Sequence, residues 1–453
     1  MTDARRQLLE MISDPDSAYD RSPEEIRPLQ LQAAAELFEQ RREQIPLVRR
    51  RAEDAGITRI AGFEDLVPLL FAHTAYKSYP ASFFEKGRWD RMLEWLNTLS
   101  VEDVSGVDVA GVQDVDEWLD RLWRAGHAVI ATSGSTGKCS FLNHTMGDRE
   151  GKANHARYSV AWPFTRANQD RTVFWLGPIR GPQSSVEAAL ANARNFGIPG
   201  KTFSMFGEDE PIRISEISEM ASVRHRMTRG EATPEEIARF EARNAEKGAR
   251  MRERLAAFTE QILAHRHEPV FLTGLWAQHM MIIEKARELG VGDGEFHPQS
   301  VVSAGGGLKG VDLPADYREQ VDRFYGDVIR FSAYGMTEMA QTMPRCEAGR
   351  YHAAPGLIML PLDPDSEQLI TAGAAGSGPV EARFAFLDLL YEGRWGGLIT
   401  GDRVTVDFSE RCPCGRHGPT LLDNIGRFSQ PGQDDHIGCA GTIDAYIRGA
   451  VNA

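Results

Sequence analysis

The most informative stretch of this chain is Thr132-Ser-Gly-Ser-Thr-Gly-Lys-Cys139, which directly follows the apolar run His127-Ala-Val-Ile-Ala131. This order predicts a buried strand that leads into an anion-binding loop. Glycines let backbone N–H groups close on an anion, hydroxyls add donors, and Lys138 adds a mobile positive charge. The stretch is not a Walker A loop, because that pattern requires glycine at Thr132 and serine or threonine at Cys139. Taken alone, such a cluster is more often a plain turn.

The size and composition of the chain are those of an ordinary globular protein. It has 453 residues, of which 42% are hydrophobic and 26% charged, enough for two or three domains. No run approaches the roughly 18 apolar residues of a membrane span, and the N-terminus lacks the apolar core of a signal peptide. The formal net charge of −14 argues against a nucleic-acid or anionic-membrane partner. We therefore expect a cytoplasmic enzyme that acts on a small molecule.

Helical and strand-like patterns divide the chain into four parts. Residues 1–125 carry apolar residues at helical spacing, which predicts a helical N-terminal cap. Residues 126–345 alternate short apolar runs with helical stretches, which predicts an α/β core with a largely parallel sheet covered by helices on both faces. Residues 346–427 contain short β-like runs between glycine turns and predict a smaller β-rich subdomain. Residues 428–453 remain as a tail.

Within the α/β core, individual elements can be placed. The expected strands are Thr172–Leu176, Pro269–Thr273, Ser300–Ser303 and Val328–Ser332. The expected helices are Ser185–Phe196, Gly274–Leu289 and Leu313–Phe324. Strands and helices in strict alternation are typical of a doubly covered parallel sheet.

Three further segments carry groups that suit a nucleotide. The segment VSAGGGLK at 302–309 ends a predicted strand with three glycines, where a flat ring can lie against the backbone. The segment SAYGMTE at 332–338 offers an aromatic ring, a hydroxyl and a carboxylate. The segment TGDR at 400–403 places Asp402 at a tight turn, where a ribose diol can donate hydrogen bonds to it. Each segment alone is equally typical of a turn, but together they describe a nucleotide site.

In this order the segments resemble the adenylate-forming superfamily of acyl-CoA synthetases, peptide adenylation domains and luciferases, over roughly residues 127–430. TSGSTGK is similar to the family's phosphate loop, AGGG at 304–307 to its adenine-binding turn, and YGMTE at 334–338 to its most diagnostic motif. Asp402 resembles its ribose-binding aspartate, and Arg427 the arginine that precedes its hinge. The resemblance implies an α/β fold and a reaction in which a carboxylate attacks the α-phosphate of ATP, giving acyl-adenylate and pyrophosphate.

The resemblance also implies a role for each matching residue. Lys138 contacts the β- and γ-phosphates, Thr337 holds the α-phosphate, and Glu338 binds Mg²⁺; these three are the expected catalytic residues. Tyr334 stacks near the adenine, and Asp402 and Arg427 hold the ribose. The full set implied for ATP and AMP binding is Ser133, Gly134, Ser135, Thr136, Gly137, Lys138, Ala304, Gly305, Gly306, Gly307, Tyr334, Gly335, Met336, Thr337, Asp402 and Arg427.

A second constellation resembles the phenylacetate-CoA ligase branch of the superfamily and its relatives, the acyl-protein synthetases. Cys346 and His352 follow YGMTE, and Cys412 and Cys414 follow TGD. Three thiolates and an imidazole are a normal ligand set for a closed tetrahedral zinc site, which is structural because no position is left open for substrate. The alternative interpretation is a set of buried free thiols at turns.

The chain departs from the family pattern after Arg427. Family members continue into a mobile C-terminal lid domain that carries a lysine for adenylation, whereas residues 428–453 contain no lysine. We therefore expect the lid domain to be missing or rudimentary, with Lys138 as the mobile cation that the motifs supply to the phosphates. Cys439 in this tail is either an inert thiol or an acyl-carrying nucleophile.

The acid-binding pocket is less legible. Trp175, Trp276 and His279 lie where the family's acid-binding walls should be. Aromatic and methionine stripes of this kind are also typical of an ordinary core, and His279 either is structural or orients the acid.

These observations predict an AMP-forming acid–thiol ligase that uses ATP, Mg²⁺ and a structural Zn²⁺. The expected acyl acceptor is CoA or the phosphopantetheine of an acyl-carrier protein. Two alternatives stay open. One is a ligase that transfers the acyl group to an amine or another nitrogen nucleophile, and the other is a catalytically inactive, nucleotide-binding regulatory protein.

Overall fold

A computed structural model describes residues 3–14, 17–132, 138–305, 313–375 and 378–428 of the chain. The chain divides into two compact units. The first unit comprises residues 1–155, 214–225 and 334–453, and the second comprises residues 156–213 and 226–333. The four-part division expected from the sequence is drawn on different grounds and stays a prediction.

The helices in the described part of the chain lie mostly before residue 330. Their bounds are α1 Asp3–Glu10, α2 Pro23–Gln44, α3 Pro46–Ala55, α4 Ala81–Glu85, α5 Trp89–Asn97, α6 Val115–Arg124, α7 Met146–Ser159, α8 Ser184–Phe196, α9 Ile214–Thr228, α10 Pro234–Ala264, α11 Trp276–Glu288, α12 Tyr317–Tyr325 and α13 Ala372–Ala375. Short 3₁₀ helices occupy Met11–Ser13, Phe63–Leu69 and Ala75–Lys77. No described helix combines the length and the apolar character that crossing a membrane requires.

The strands are concentrated in two sheets. Their bounds are β1 Phe71–Ala72, β2 Ala128–Ala131, β3 Phe141–His144, β4 Arg171–Trp175, β5 Gly197–Ser204, β6 Val270–Leu275, β7 Val301–Gly305, β8 Ile329–Arg330, β9 Ala333–Tyr334, β10 Met343–Pro344, β11 Tyr351–His352, β12 Leu357–Met359, β13 Val380–Asp388, β14 Gly397–Asp407, β15 Thr420–Leu421 and β16 Gly426–Arg427. Two smaller ladders pair β2 with β3 and β9 with β10.

The second unit is built on a parallel sheet in the order β5-β4-β6-β7-β8. Alternate residues of its strands enter different cores, because successive side chains of a strand point to opposite faces. Phe174 and Leu272 pack with residues of α10, α11 and α12, whereas Val173 and Phe271 pack with Phe196 of α8. Helices therefore cover both faces, and the predicted parallel α/β sheet is confirmed.

The first unit contains a seven-stranded sheet in the order β11-β15-β14-β13-β12, with β1 and β16 also pairing with β14. Its central pair, β13 and β14, is antiparallel, whereas β1 runs parallel to β14. The sheet corresponds to the β-rich part that the sequence predicts. The N-terminal residues contribute α1 to α6, as the expected helical character requires.

Local sequence explains where several helices begin. Ser22 caps α2 by accepting a hydrogen bond from the backbone N–H of Glu25, and Pro23 occupies the first turn. Asp114 caps α6 in the same way through Glu117 N–H. Thr233 and Glu236 form a reciprocal capping box at the start of α10.

Two expected elements are shorter than the sequence suggested. The strand expected at Val328–Ser332 pairs only at Ile329–Arg330, because its neighbour β7 bonds to it only through Val301 and Val302. The helix expected from Leu313 begins at Tyr317, because the preceding residues form a turn closed by the Tyr317 N–H and the Pro314 carbonyl.

Candidate functional site

Asp402 lies on β14, and strand pairing brings two other predicted residues to its carboxylate. β14 pairs with β16 so that Asp402 lies opposite Arg427. The Arg427 Nε atom lies 2.9 Å from Oδ1 of Asp402, and the Tyr334 hydroxyl donates to Oδ2 at 2.7 Å. Asp402 is 6% exposed, whereas the side chain of Arg427 is 64% exposed. Three separate motifs therefore meet at one buried carboxylate.

The phenol of Tyr334 is suited to act as a donor at this carboxylate. Burial raises the pKa of Tyr334, and the charge of Asp402 acts in the same direction. The backbone N–H of Asp402 donates to Oγ1 of Thr400 at 3.0 Å. Both the position of Asp402 on its strand and the direction of its carboxylate are therefore defined before any ligand binds.

Glu338 is half-buried in the same unit. Burial raises the pKa of its carboxyl group, while the charges of Arg394 and Arg427 oppose that shift. Gly335 of the YGMTE motif packs closely against Thr342, because a Cβ atom at position 335 would lie 2.6 Å from Cγ2 of Thr342. Thr337 and Met336 are half-buried beside it. The carboxylate oxygens of Glu338 are of the ligand type that Mg²⁺ prefers.

Arg394 is a buried cation that the sequence analysis missed. Its guanidinium donates to the backbone carbonyl of Glu338 and, at 3.0 Å, to the hydroxyl of Tyr76. The same guanidinium lies 3.6 Å from the ring centroid of Tyr391. Arg394 therefore ties the YGMTE motif to the N-terminal helical region. No local pattern identifies such a residue, because an arginine between two strands is normally exposed.

Lys138 contacts Tyr79, another residue that the sequence analysis did not assign. The ammonium group donates to the Tyr79 carbonyl and lies 4.1 Å from the centroid of the Tyr79 ring, a cation–π contact. The Tyr79 hydroxyl in turn donates to the carbonyl of Cys139 at 2.9 Å. The lysine of the predicted phosphate loop is thus held next to an aromatic face.

The ends of the predicted phosphate loop are joined by hydrogen bonds. Thr132 N–H donates to the Ser140 carbonyl at 3.0 Å, and Ser140 N–H donates to the Thr132 hydroxyl at 2.9 Å. The antiparallel pair β2 and β3 continues from this closed neck. The remaining loop residues lie outside the described part of the chain: Ser133, Gly134, Ser135, Thr136 and Gly137.

The three cysteines predicted to bind zinc lie on two turns of similar construction, and the predicted ligand His352 lies on β11. In one, Cys346 N–H donates to the Arg350 carbonyl and Gly349 N–H donates to the Cys346 carbonyl; in the other, Cys412, Arg416 and Gly415 repeat both bonds. Both glycines have positive φ, +74° and +90°, which favours glycine at these positions. The guanidinium of Arg416 lies 2.9 Å from the carboxylate of Glu347 and joins the two turns.

The four candidate ligand atoms converge on one point. The ligand atoms of Cys346, His352, Cys412 and Cys414 all lie within 4.8 Å of one another. The Cys346 and Cys412 sulfurs are 3.8 Å apart, and the Cys414 sulfur is 3.6 Å from Nε2 of His352. Zn–S bonds of about 2.3 Å in a tetrahedron place two sulfurs about 3.8 Å apart. The geometry of the donor set therefore fits Zn²⁺.

The ionisation of these groups also suits a metal. Burial lowers the pKa of His352 to about 4, so its imidazole is neutral at pH 7. Burial acts to raise the pKa of Cys414, but hydrogen bonds from the backbone and side chain of Arg416 outweigh it and lower that pKa. Burial raises the pKa of Cys412 to about 12. The lowered pKa of Cys414 favours its thiolate form, and a bound cation would stabilise the thiolates of Cys346 and Cys412 as well.

In the second unit, Trp175 and Trp276 lie at the carboxyl ends of neighbouring strands. The sheet order places β4 beside β6, and the chain winds outward from this pair to β5 on one side and to β7 and β8 on the other. Trp175 ends β4, and Trp276 begins α11 directly after β6. Open α/β sheets bind ligands at such a topological switch point. Both tryptophans are half-buried there.

His279 lies deeper in the second unit and is fully buried. Its Nδ1 atom is 2.8 Å from the Tyr325 hydroxyl, and its Nε2 atom is 3.2 Å from the Ser303 carbonyl. Both ring nitrogens are therefore occupied by protein groups, which favours the structural interpretation of this histidine over direct contact with an acid. Ala304 and Gly305 follow Ser303 at the end of β7, while Gly306 and Gly307 lie outside the described residues.

Comparison with known proteins rests on structure alone. No protein-family model and no curated protein matches the chain. Among solved structures it is similar to 2-hydroxyisobutyryl-CoA ligase in complex with 2-HIB-AMP and CoA in the thioesterification state, with 16% identity and a TM-score of 0.54 over 91% of this chain and 70% of that one. An open conformation of the same ligase with 2-HIB-AMP and CoA matches with 16% identity and a TM-score of 0.51, over 91% of this chain and 72% of that one. These matches establish the fold.

Proposed function

We propose that this chain, which has the fold of the adenylate-forming ligases, activates a carboxylic acid with ATP and transfers the acyl group to a thiol. The observation that carries the proposal is the meeting of Tyr334, Asp402 and Arg427 at one buried carboxylate. These residues come from three motifs whose order resembles that superfamily, and a ribose diol needs such an acceptor beside a cation. The phenylacetate-CoA ligase branch remains the narrower form of the proposal.

In the first unit we assign the ribose and phosphate contacts. Asp402 accepts hydrogen bonds from the ribose, and Arg427, exposed at its other side, donates to ribose oxygens. Thr337 donates its hydroxyl to an α-phosphate oxygen, and Lys138 neutralises the leaving pyrophosphate. Lys138 has to leave both the carbonyl and the ring of Tyr79 to do so, two contacts that are each worth about 1 kcal/mol.

Glu338 is the residue of this unit that we assign to Mg²⁺. The cation would neutralise phosphate charge as the pyrophosphate bond breaks. Arg394 holds the Glu338 carbonyl and so sets the backbone that carries both Glu338 and Thr337. Phosphoryl transfer of this kind depends on positioning and charge neutralisation more than on a covalent catalyst.

In the second unit we assign the adenine and the acid. Ala304 and Gly305 at the end of β7 offer backbone to a flat base, and the half-buried Trp175 and Trp276 at the strand switch point offer apolar walls to the acid. A carboxylate oxygen of the acid attacks the α-phosphorus, and the bond to pyrophosphate breaks. The thiolate of CoA then attacks the acyl carbon and AMP leaves, which completes a thioester.

We assign the cluster of Cys346, His352, Cys412 and Cys414 to a structural Zn²⁺. The supporting observations are the 3.8 Å and 3.6 Å separations of its donor atoms and the paired turns that carry them. Four protein ligands complete a tetrahedron, so the metal would contribute to folding and leave no position for substrate.

Adenylation can be tested directly. The protein is incubated with ATP, Mg²⁺, hydroxylamine and a broad panel of carboxylic acids, and hydroxamates are read by mass spectrometry. We expect an acid-dependent hydroxamate that the Lys138→Ala variant forms at a strongly reduced rate. A panel in which no acid gives hydroxamate or stimulates exchange of pyrophosphate into ATP contradicts the proposal.

The acceptor is tested with the acid found in that panel. CoA, a phosphopantetheine-bearing carrier protein and a set of amines are offered in parallel, and AMP release is measured with each. We expect AMP release to depend on a thiol. Release that responds to amines alone supports transfer to nitrogen instead.

A further inference from the structure

A chain of hydrogen bonds crosses the core of the second unit and ends at β7. It starts at the Tyr325 hydroxyl on α12, passes through His279 on α11 and reaches the carbonyl of Ser303 on β7. Tyr325 and His279 are both fully buried. The two rings meet edge to face with centroids 5.4 Å apart, so packing as well as hydrogen bonding fixes their orientation.

The direction of each hydrogen bond follows from the groups themselves. A carbonyl oxygen only accepts, so Nε2 of His279 carries a proton and donates to Ser303. Burial lowers the pKa of His279 to about 4, so the ring holds no second proton at neutral pH. Nδ1 is therefore an acceptor, and the Tyr325 hydroxyl must donate to it. This assigns one tautomer to His279 and one orientation to the hydroxyl of Tyr325.

The imidazole acts where β7 loses its partner strand on one edge, while its other edge stays paired with β6 through Gly305. The ladder between β7 and β8 ends at Val302, which pairs with Arg330. At the next residue, Ser303, side chains take over: His279 donates to the carbonyl, and the serine hydroxyl donates to the Phe331 carbonyl at 3.1 Å. Ala304 and Gly305 follow immediately.

A glycine on the neighbouring strand makes room for this arrangement. Gly274 lies opposite Ala304 in the register of β6 and β7. A Cβ atom at position 274 would lie 3.2 Å from Nε2 of His279 and 2.5 Å from Cδ1 of Leu176. The absence of a side chain therefore lets the imidazole approach the backbone next to the end of β7.

We propose that His279 is a positioning residue for the adenine ring of ATP, acting through the Ser303 carbonyl to fix the backbone of Ala304 and Gly305. This inference rests on the proposed function, since it takes Ala304 and Gly305 as the adenine contact. His279 itself touches neither ATP nor the acid. Tyr325 serves the same end by holding the imidazole in the tautomer that donates to Ser303.

The test compares three variants with the wild-type protein. His279→Leu removes the donor to Ser303, His279→Gln keeps an amide donor near the Nε2 position, and Tyr325→Phe removes the donor to Nδ1. For each variant KM for ATP, KM for the acid, kcat and Tm are measured, together with AMP affinity by calorimetry. We expect His279→Leu to raise KM for ATP and Kd for AMP about tenfold, the effect of one lost buried hydrogen bond.

The other two variants should change KM for ATP in a pattern that a purely structural role of His279 would not produce. His279→Gln should restore ATP affinity to within about threefold of wild type, and Tyr325→Phe should raise KM for ATP by about three- to fivefold. KM for the acid should change less than twofold in every variant. An unchanged KM for ATP in Tyr325→Phe and His279→Leu, with only Tm lowered, overturns the inference; if His279→Leu does not fold, Tyr325→Phe decides.

Failure of the inference is distinguishable from failure of the proposed function. If wild-type protein binds no AMP and forms no adenylate, the proposed function is wrong and this inference is wrong with it. If wild-type protein forms adenylate and the variants keep wild-type ATP affinity, only the role of His279 is wrong.

Discussion

The Cys/His cluster and the Asp402 site are built in different ways, although both join residues that are far apart in sequence. Cys346 and Cys412 are 66 residues apart, yet each lies on a tight turn that prepares its own ligands. Tyr334 and Asp402 are 68 residues apart, and only the pairing of strands and the packing of a buried ring bring them together. The first site depends on turn geometry and the second on the register of a sheet.

The two sites therefore contribute differently to the protein, one to stability and the other to ligand binding. Cysteines that bind a metal are thiolates, and the burial of several thiolates requires a cation to compensate their charge, so the metal-bound cluster should contribute to stability. The carboxylate of Asp402 is held by Tyr334 of β9 and by Arg427 of β16, and the exposed side chain of Arg427 can reach a ligand. We therefore expect changes in the cluster to reduce stability and changes at the Asp402 and Lys138 sites to reduce adenylation.

The largest expected effect is on stability. Cys412→Ser should abolish binding of one equivalent of zinc and lower the free energy of unfolding by about 4 kcal/mol or more, because loss of a structural metal is among the costliest single changes. Zinc is measured by mass spectrometry of the purified protein and stability by denaturant unfolding. Cys139→Ala, at a buried cysteine outside the cluster, is the control and should keep its zinc. Equal zinc content in both variants contradicts the metal assignment.

The next effect is on chemistry. Lys138→Ala should lower the rate of adenylation about 100-fold or more, the usual cost of removing one group that stabilises developing charge, while Tm changes by only a few degrees. Hydroxamate formation at saturating acid is the measurement. Lys86→Ala, an exposed lysine of the same unit, should behave as wild type. Near-normal adenylation in Lys138→Ala would remove this lysine from the phosphate site.

A smaller effect is expected at the ribose contact. Asp402→Asn keeps the side-chain volume but weakens the pairing with Arg427, so kcat/KM for ATP should fall about 10- to 30-fold. The variant should also lose discrimination between ATP and 3′-deoxy-ATP, which a purely structural role does not predict. Asp407→Asn, on the same strand, is the matched control. Full retention of sugar discrimination in Asp402→Asn contradicts the ribose assignment.

The smallest expected effect is the pH dependence of stability that the buried His279 causes. His279 has a pKa of about 4 in the folded chain against about 6.5 when unfolded. The unfolded state binds the extra proton first, so stability is complete above pH 6.5 and is lost as the pH falls toward 4. Between pH 7 and 6 this histidine alone should cost about 0.7 kcal/mol.

The measurement compares denaturant midpoints at pH 7 and pH 6. His279→Gln should reduce the acid-induced loss of stability by about that amount, whereas His267→Gln, at an exposed position of the same unit, should not. Identical pH dependence in wild type and His279→Gln would show that this imidazole is not buried in its neutral form.

The sequence predicts those parts of the molecule that rest on local patterns. Short apolar runs such as Thr172–Leu176 predict β4 because alternation with helices has a strong period, and the glycine after each of Cys346 and Cys412 marks a turn. Tyr334 and Asp402 are identified by their motifs, but the tight turn expected around Asp402 is wrong, because residues 400–403 lie within strand β14. The fold class was predictable from the same local patterns.

Other features could not be predicted because they depend on contacts between distant segments. The charged side chain of Arg394 is buried against Tyr76 and the Glu338 carbonyl. No pattern in the neighbouring residues predicts that this arginine is buried. The short pairing of Ile329–Arg330 reflects where β7 stops bonding, not the composition of Val328–Ser332. The contact between Tyr79 and Lys138 also joins distant segments. The sequence does not predict it, because an aromatic residue is more often part of a core than the partner of a lysine.

The parallel pairing of β1 with β14 has a consequence for the order in which the chain can fold during synthesis. Phe71 pairs with Leu398, and Arg5 donates to the carbonyls of Leu390 and Tyr391 at 2.9 Å. The first unit therefore cannot close until Leu398 has left the ribosome. The second unit lies between these partners in sequence. Its parallel sheet is therefore synthesised completely before the strands that pack on the N-terminal helices are available.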